Sequence, residues 1–477
     1  MSASGSNHLF GIQEESVAGV LPSPFNPVTQ RILEGSDIND QRSSLVSSEL
    51  TGPSRQILSS TLGAQKPDVS FGVEYSFDSF DLLLESTFQN RWAGAGLATA
   101  VTVDVAAAAL TTNGGELWST YGFANGDIIT VTGFTAASDD GSLLITSGSG
   151  TDTLVVTTLG GASPILTAAV DNVLTVIGGR LATVVGTNSI TVNATAKTLT
   201  AASALWTEST IDLRYNDLIY LNGFTNAANN GYFKVVSATS TVLTLHADSV
   251  LAAEVIASGV EVTNNTGILT VSNNPLTFSI LSAYTDIGQY RTSSGNQVGS
   301  ASWSFAVDSL VSGDFSIMGL SVTDYGVVDP SSTTVASTTT PVFNTFRGFI
   351  SFNGSAPACL TSLDISLDNG SEGLQCLFTK ALSDITSGKA NCTGSFSAYF
   401  DDAQLANLYA NETAVNIFTV MEDADGASMG FGIPNAQLQS DSNQINESTV
   451  EESIDFQALG GDALTNLYII KSRAIPA

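Results

Sequence analysis

Two stretches near opposite ends of the chain share one layout, in which a strand with one polar face runs directly into a short helix. They are SFGVEYSFDSFDLLLESTF, residues 70–88, and TGSFSAYFDDAQLANLYAN, residues 393–411. The apolar residues of the first strand recur at every second position: Phe71, Val73, Tyr75 and Phe77. Acidic residues follow at the helix N-cap position, Asp78 in the first stretch and Asp401 and Asp402 in the second. The shared layout favours one duplicated β domain split by an insertion, and chance similarity between two common junctions is the alternative.

The middle of the chain contains a second, more extensive repeat. One copy begins at Thr102 and the other at Thr191. Their shared landmarks are Leu117-Trp118 with Leu205-Trp206, Gly133-Phe134-Thr135 with Gly223-Phe224-Thr225, and Gly141 with Gly231. Each copy consists of short alternating strands separated by Gly, Asn and Asp turns, which is typical of a small β-sandwich, Ig-like or otherwise, or of a small barrel. We expect Trp118 and Trp206 to fill the core of each copy.

These patterns predict an all-β, mainly antiparallel fold with one or two short helices. Charged residues make up only 13% of the chain, and a composition rich in Thr, Ser, Gly and Val favours strands and turns over helices. The predicted organisation is a host domain at 1–95 and 267–477, interrupted by one β module at 96–180 and a second at 181–266. Residues 1–65 contain four prolines and few regular periods, so we expect an extended arm there.

The charge of the chain restricts its partners. With 15 basic against 45 acidic residues, the net charge is −30. Sequence-specific nucleic-acid binding needs a basic surface, and an anionic membrane would repel this protein. A surface this acidic keeps the protein soluble and does not adhere to DNA.

The cysteines and the N-terminus indicate where the protein folds. Cys359, Cys376 and Cys392 are an odd number without the spacing of a disulfide framework or a metal site, which is typical of a reducing cytoplasm. The N-terminus lacks the basic and apolar regions of a secretory signal. The most apolar stretch, residues 93–110, is interrupted by Asp104, so we expect no membrane span.

No arrangement typical of catalysis, cofactor binding or metal binding is visible in the sequence. The two histidines are His8, in an N-terminus that we expect to be flexible, and His246, and neither has a Cys or His neighbour at metal-ligand spacing. Nucleophile-elbow, zinc-protease and phosphate-loop motifs are missing. We therefore expect no enzymatic activity and no catalytic, cofactor-binding or metal-binding residues. A carboxylate pair for glycoside hydrolysis stays possible, but no pair stands out.

The flanks of the central repeat carry several segments in a characteristic order. They are GIQEESVAGVLP from Gly11 with the pattern G-x-x-x-E-x-x-x-G, SSLVSSELTGPSRQI from Ser43, residues 275–321 with Gly295 and Gly299, LTSLDISLDNG from Leu360, and a hairpin with Asp425-Gly426 at its turn. In this order the flanks resemble the tail tube proteins of long-tailed bacteriophages. The two modules at 96–266 depart from the family pattern.

The resemblance implies a homo-hexameric ring in which each subunit contributes sheet edges to a closed β-barrel. Stacked rings would form the tube of the virion tail, through which DNA and the tape-measure protein pass without specific binding. Tail tip and tail terminator proteins would meet the ends of the tube, no membrane or cofactor would take part, and synthesis would occur in the host bacterial cytoplasm. Residues 1–65 would contact the next ring, and the inserted modules would decorate the outside.

A non-adhesive conduit for DNA calls for acidic residues on its inner wall. We expect Glu74, Asp364 and Asp368 to face the lumen, because each lies on the polar side of an alternating strand. The alternative is that they face the outer solvent.

Two other functions are compatible with the sequence. A surface adhesin or capsid-associated binding protein would use the tandem β modules to present ligand sites. A polysaccharide-acting tail enzyme is the third candidate, and the missing catalytic motifs weigh against it.

Overall fold

The computed structural model describes most of the chain. The described residues are 5–35, 37–47, 59–92, 100–106, 108–113, 118, 128–132, 134, 141–148, 150–158, 166–179, 181–185, 189–206, 213, 217–246, 249–257, 259–264, 266–352, 359–400, 404–445, 449–460 and 465–473. Within them the expectation of an all-β, mainly antiparallel fold is confirmed: strands predominate and two α-helices are present.

The strands and helices have the following bounds in chain order. The N-terminal part contains β1 (His8–Glu14), β2 (Val28–Thr29), β3 (Ile32–Gly35), β4 (Asn39–Asp40), β5 (Ser44–Val46), β6 (Ser60–Leu62), β7 (Pro67–Glu74) and α1 (Asp81–Phe88). The middle contains β8 (Ala100–Ala106), β9 (Ala109–Thr112), β10 (Ile128–Thr132), β11 (Gly141–Ser147), β12 (Thr153–Thr158), β13 (Ala169–Gly179), β14 (Leu181–Val185), β15 (Ile190–Asn193), β16 (Thr198–Ala201), β17 (Leu218–Asn222), β18 (Gly231–Ala238), β19 (Val242–Leu245), β20 (Glu254–Ile256), β21 (Val260–Asn264) and β22 (Gly267–Thr270). The C-terminal part contains β23 (Phe278–Tyr284), β24 (Gln289–Ala306), β25 (Ser312–Met318), β26 (Ser321–Val322), β27 (Gly348–Phe352), β28 (Leu360–Asp368), β29 (Glu372–Leu374), β30 (Asp384–Thr386), β31 (Asn391–Tyr399), α2 (Gln404–Ala410), β32 (Val415–Glu422), β33 (Ser428–Leu438), β34 (Ser442–Ile445), β35 (Val450–Ala458) and β36 (Tyr468–Ser472).

The chain divides into two compact units. The first comprises Met1–Asn90, Thr270–Phe418 and Ile433–Leu467, and the second comprises Arg91–Leu269, Thr419–Gly432 and Tyr468–Ala477. The predicted domain boundaries at 95, 180 and 266 stay a prediction.

A long antiparallel sheet organises the first unit. Its strand order is β3–β7–β25–β24–β28–β31–β35–β33. The short strands β4 and β34 continue its two ends, beside β7 and β35 respectively. A second antiparallel set, β2–β1–β23–β24, shares β24 with the long sheet. The 18-residue strand β24 can serve both because it bends at Gly295, whose φ is +66°.

The predicted extended arm is partly wrong. β1 pairs with β23 along its full length, from His8 opposite Tyr284 to Glu14 opposite Phe278. Phe10 is buried in the core of the first unit. The prediction missed this strand because the prolines that follow it dominate the local composition.

The first helix covers the apolar side of the long sheet. Leu84 and Phe88 are fully buried, and the ring of Phe88 lies 6.3 Å from that of Trp303 on β24. The predicted N-cap is wrong: Asp78 has a φ of +58° in the preceding turn, and α1 begins at Asp81 without a side-chain cap. Asp401 and Asp402, which were expected to open the second helix, lie outside the described residues.

The second unit contains the two copies of the central repeat. In the first copy, β8 to β13 form a closed barrel in the order β10–β11–β12–β9–β8–β13. The second copy repeats this order as β17–β18–β19–β16–β15, with β21 beside β17 and β20 beside β15, β14 beside β21, and no closure among the described strands. The first copy is therefore a barrel rather than an open sandwich.

The two tryptophans fill the cores as predicted. Both are fully buried. The Trp118 indole donates to the carbonyl of Asp152 at 2.9 Å, and the Trp206 indole donates to that of Thr241 at 3.1 Å. Equivalent hydrogen bonds at equivalent positions support the repeat, although the landmarks Leu117, Gly133 and Thr135 lie outside the described residues.

Candidate assembly surface

The long sheet of the first unit has one apolar and one polar side. Because side chains alternate along a strand, each strand sends every second residue into the core and the others outward. The inward set comprises Phe71, Val73, Phe315, Ile317, Ala301, Trp303, Leu363, Ile365, Leu367, Phe396, Ile454 and Phe456, all buried. The outward set forms what we call the polar face.

Pairing of the strands arranges the polar face in rows across the sheet. The first row is Glu74, Ser312, Ser304, Asp364, Ser395 and Asp455. The second is Gly72, Asp314, Ser302, Ser366, Thr393 and Gln457. The third is Ser70, Ser316, Ser300, Asp368 and Asn391. The three acids predicted from sequence therefore share one face.

Short serine side chains hold the acids in place. Ser304 Oγ donates to Asp364 Oδ1 at 2.6 Å, and Ser440 Oγ donates to Asp455 Oδ2 at 2.7 Å. Asp364 and Asp368 are exposed, and Glu74 is half-buried. The rows thus present fixed negative charges separated by small hydroxyl groups.

The polar face contains acids that the sequence analysis missed. Asp314 and Asp455 lie in its rows, on β25 and β35. Both occupy outward positions of alternating strands, which was the available signal. The three rows together hold five carboxylates and no Lys or Arg. Such a face repels a polyanion.

The two ends of the long sheet are exposed strand edges. Among the described residues, β34 pairs only with β35, and β3 and β4 pair only with β7. The side chain of Ile445 on β34 is 80% exposed, and that of Leu33 on β3 is 46% exposed. Unpaired edges with exposed apolar residues are sites where another strand can add.

Two short ribbons also expose apolar side chains. β5 pairs with β6, and β29 pairs with β30. Their exposed residues are Leu45, Val46, Leu62 and Leu374, and Leu377 and Phe378 lie in the turn after β29. A two-stranded ribbon is marginal alone, so partners are expected to cover these residues.

The G-x-x-x-E-x-x-x-G pattern has a structural explanation in Glu15. This buried carboxylate accepts hydrogen bonds from the hydroxyl of Ser279 at 2.6 Å, from the Gly295 amide at 2.8 Å and from the Gly19 amide at 2.8 Å. Gly19 adopts a φ of +77°, which glycine tolerates best. A side chain at the pattern's first glycine, Gly11, would have its Cβ 2.9 Å from Pro27. Glu15 therefore joins the N-terminal segment to the bend of β24.

His8, Ser282 and Asp37 meet in the first unit but do not form a catalytic triad. The same ring atom, His8 Nε2, lies 2.9 Å from Ser282 Oγ and 3.8 Å from Asp37 Oδ1. A triad needs the serine and the carboxylate at opposite ring nitrogens. Burial raises the pKa of Asp37, but hydrogen bonds from Ser282, Tyr325 and Tyr284 outweigh it and leave the pKa lowered. The expected flexible position of His8 is wrong, because it begins β1.

In the part of the chain that the structure describes, no three His, Cys, Asp or Glu side chains are grouped as a metal site. Neither α-helix found there is long and apolar enough to cross a membrane.

The described part of the first unit thus presents a broad polar sheet face between two open edges, an arrangement suited to joining copies into a larger sheet. The family model described as phage tail tube protein matches residues 5–458, and the chain belongs to this family. It is therefore a structural protein of the virion tail, and its family implies assembly into a tube. No curated protein was found to match the sequence.

Proposed function

We propose that copies of this protein join edge to edge into rings, and that the rings stack into the tube through which the phage genome leaves the particle. The polar face would line the lumen, and the resemblance to the family implies a homo-hexameric ring around it. The tape-measure protein and DNA would pass through, and the tail tip and terminator proteins would meet the tube ends.

The observation that carries this proposal is the charge of the polar face. Duplex DNA carries a negative charge about every 1.7 Å along its axis. A basic wall would bind it along the whole tube and stop its movement. Glu74, Asp364 and Asp368, with Asp314 and Asp455, instead give a repulsive wall with small hydroxyl groups between the charges.

The sheet edges and the ribbons supply contacts of two kinds. Pairing of the open edges of neighbouring copies would close the sheet and remove the unpaired backbone groups. The exposed ribbons β5–β6 and β29–β30 would contact the next ring, in place of the full arm at 1–65 that the sequence analysis expected. This arrangement would give the exposed apolar residues of the two edges and the two ribbons a second copy as their partner.

The central repeat would decorate the outside of the tube. We propose the modules at 96–180 and 181–266 as insertions, since they lie between α1 and β23 of the first unit. Because a filled lumen could not pass DNA, modules of this size must point outward.

The test is a charge reversal of the polar face in assembled tails. Phages carrying Glu74→Lys, Asp364→Lys and Asp368→Lys together should assemble tails but eject DNA roughly tenfold more slowly or worse, because lysines bind phosphates. A matched control reverses three exposed acids off the face and outside the ribbons, Asp286, Asp324 and Asp329. Ejection is followed by the fluorescence of a dye that binds released DNA.

Equal ejection rates for the two triple variants, with normal tails in electron micrographs, would refute a lumen-facing position. A slowed control with an unchanged polar-face variant would refute it equally.

A further inference from the structure

The first unit contains the same succession of elements twice. The first succession is β3–β4, β7, α1, β23, β24 and β25, and the second is β28, β31, α2, β32, β33–β34 and β35. Each thus has a strand, a second strand, a helix, a hairpin and a final strand. This order extends the strand–helix similarity seen in the sequence to the whole unit.

The strand pairings of the two successions are also the same. The first pairs as β3–β7–β25–β24. The second pairs as β28–β31–β35–β33, with β34 continuing beside β35. All pairs are antiparallel. Two tube repeats, each of four strands, therefore lie side by side in one sheet.

A matching hydrogen bond supports the equivalence at the level of single residues. The amide of Asp314 donates to Ser302 Oγ at 3.1 Å, and the amide of Asp455 donates to Ser440 Oγ at 3.0 Å. In each repeat the aspartate lies on the last strand, β25 or β35. Ser302 lies within β24, and Ser440 lies between β33 and β34. Chance similarity of two junctions does not account for a shared side-chain contact of this kind.

The position of the central repeat agrees with the duplication. Residues 93–269 lie in the connection from α1 to the hairpin of the first repeat. In the second repeat the same connection, from α2 to β32, is only residues 411–414. The modules therefore interrupt one repeat at a point where the other has a short loop.

Among the described strands, one pair joins the two repeats within the chain. β24 of the first repeat pairs with β28 of the second, from Ser300 opposite Asp368 to Ala306 opposite Ser362. The counterpart of β24 in the second repeat is β34, and the counterpart of β28 in the first is β3–β4. These counterparts are the two open edges of the sheet.

We propose that β34 of one copy pairs antiparallel with β3–β4 of a second copy, in the way that β24 pairs with β28 inside the chain. The partner is a second copy of this chain, because its β3–β4 edge is the counterpart of β28, the strand with which β24 pairs inside the chain. The inference rests on the proposed tube function. A ring of six tube repeats would then close with three chains instead of the six that the family resemblance implies, and it would carry three pairs of modules.

The internal junction also predicts the register between copies. Ser304 faces Asp364 inside the chain. Ser442 faces Ser453 on β35, and Ser304 faces Ser312 on β25. Since β35 and β25 are equivalent strands, Ser442 is the counterpart of Ser304. Ile32 pairs with Val73 as Leu363 pairs with Phe396, and a bulge between Ile32 and Gly35 follows. Leu33 is the counterpart of Asp364, because its Cβ lies 3.8 Å from the place of a Cβ on Gly72, the counterpart of Ser395.

The test is a disulfide between Ser442→Cys and Leu33→Cys in tubes of the full-length protein. Facing residues of an antiparallel pair have Cβ atoms about 4.5–5.5 Å apart, near enough for a disulfide to form with small shifts. The exposed Cys359 and Cys376 are first replaced by Ser. In the control, Ser70→Cys on β7, an exposed residue one strand further in, replaces Leu33→Cys.

After mild oxidation, a non-reducing gel should show covalent species up to three chains and no larger, and the Ser70→Cys control should remain monomeric. Species up to six chains, or no cross-link in tubes that electron micrographs show to be intact, would overturn the inference while the tube function stands. If no rings or tubes form from protein or in tails, the proposed function itself fails, and the inference fails with it.

Discussion

At the scale of single residues, one buried lysine gives the second unit a pH-dependent stability. Lys234 on β18 is almost fully buried, and its Nζ donates to Ser472 Oγ at 2.6 Å. Burial lowers its pKa to about 7, although the nearby carboxylates of Glu422, Asp217 and Asp423 act in the opposite direction. An unfolded chain holds the same proton up to a pH of about 10.4.

The sign of the pH effect follows from these two values. Between pH 7 and about 10.4 the unfolded state binds more protons at Lys234 than the folded state, so stability should rise with pH in this window. Below pH 7 both states are protonated and the dependence on this lysine ends. In the variant Lys234→Met this rise should be lost.

The difference in unfolding free energy, Lys234→Met minus the unaltered protein, should increase by about a few kcal/mol as the pH falls from 10 to 7. The reason is that the unaltered protein loses the contribution of Lys234 over this range and the variant has none to lose. Urea unfolding followed by tryptophan fluorescence measures this difference. Val236→Met, on the same strand and partly exposed, is the control and should keep the original pH slope. Identical slopes for all three proteins would show that Lys234 does not titrate in this way.

A second residue-scale prediction concerns Glu15. Three groups donate hydrogen bonds to the carboxylate oxygens of Glu15, and a change to Gln replaces one of these oxygens with an NH2 group that can only donate. We expect a loss of about 2–3 kcal/mol in unfolding free energy. Thermal unfolding compares it with Glu372→Gln, an exposed control. A Glu15→Gln variant as stable as the control would show that the buried carboxylate contributes little.

At the scale of elements, much of the fold could be predicted from the chain. The Asp425-Gly426 turn joins β32 to β33 as expected, closed by a hydrogen bond from the Asp423 amide to the Ala427 carbonyl. Local chemistry decides such turns, since Gly426 takes a φ of +88° that glycine accepts readily. The start of α1 was missed because Asp78 can serve a left-handed turn as well as a cap.

The candidate site was predictable only in part, for a different reason. Alternation places Asp364 and Asp368 on one side of β28, but it cannot say which strands lie beside them. The row that joins Glu74 to Asp364 depends on pairings between residues far apart in the chain. Register between distant strands is set by packing of the whole sheet, which a local pattern does not contain. For the same reason the duplication could be suspected from two junctions but not followed through β25 and β35.

At the scale of the whole molecule, the proposed duplication would change how a tube of this family is built. One chain with two tube repeats would fix half of the lateral junctions covalently, which would lower the entropy cost of closing a ring. It would also let one repeat carry the inserted modules while the other does not. A tube of such chains would show threefold decoration around a lumen with six similar sectors.

The account as a whole is tested most directly by a cryo-electron microscopy map of the assembled tail tube. It predicts a continuous barrel of β-strands with Glu74, Asp314, Asp364, Asp368 and Asp455 pointing into the lumen, and with β34 of each copy beside β3–β4 of the next. A map in which these carboxylates lie on the outer surface of the tube, or in which the sheets of neighbouring copies do not pair, would contradict it.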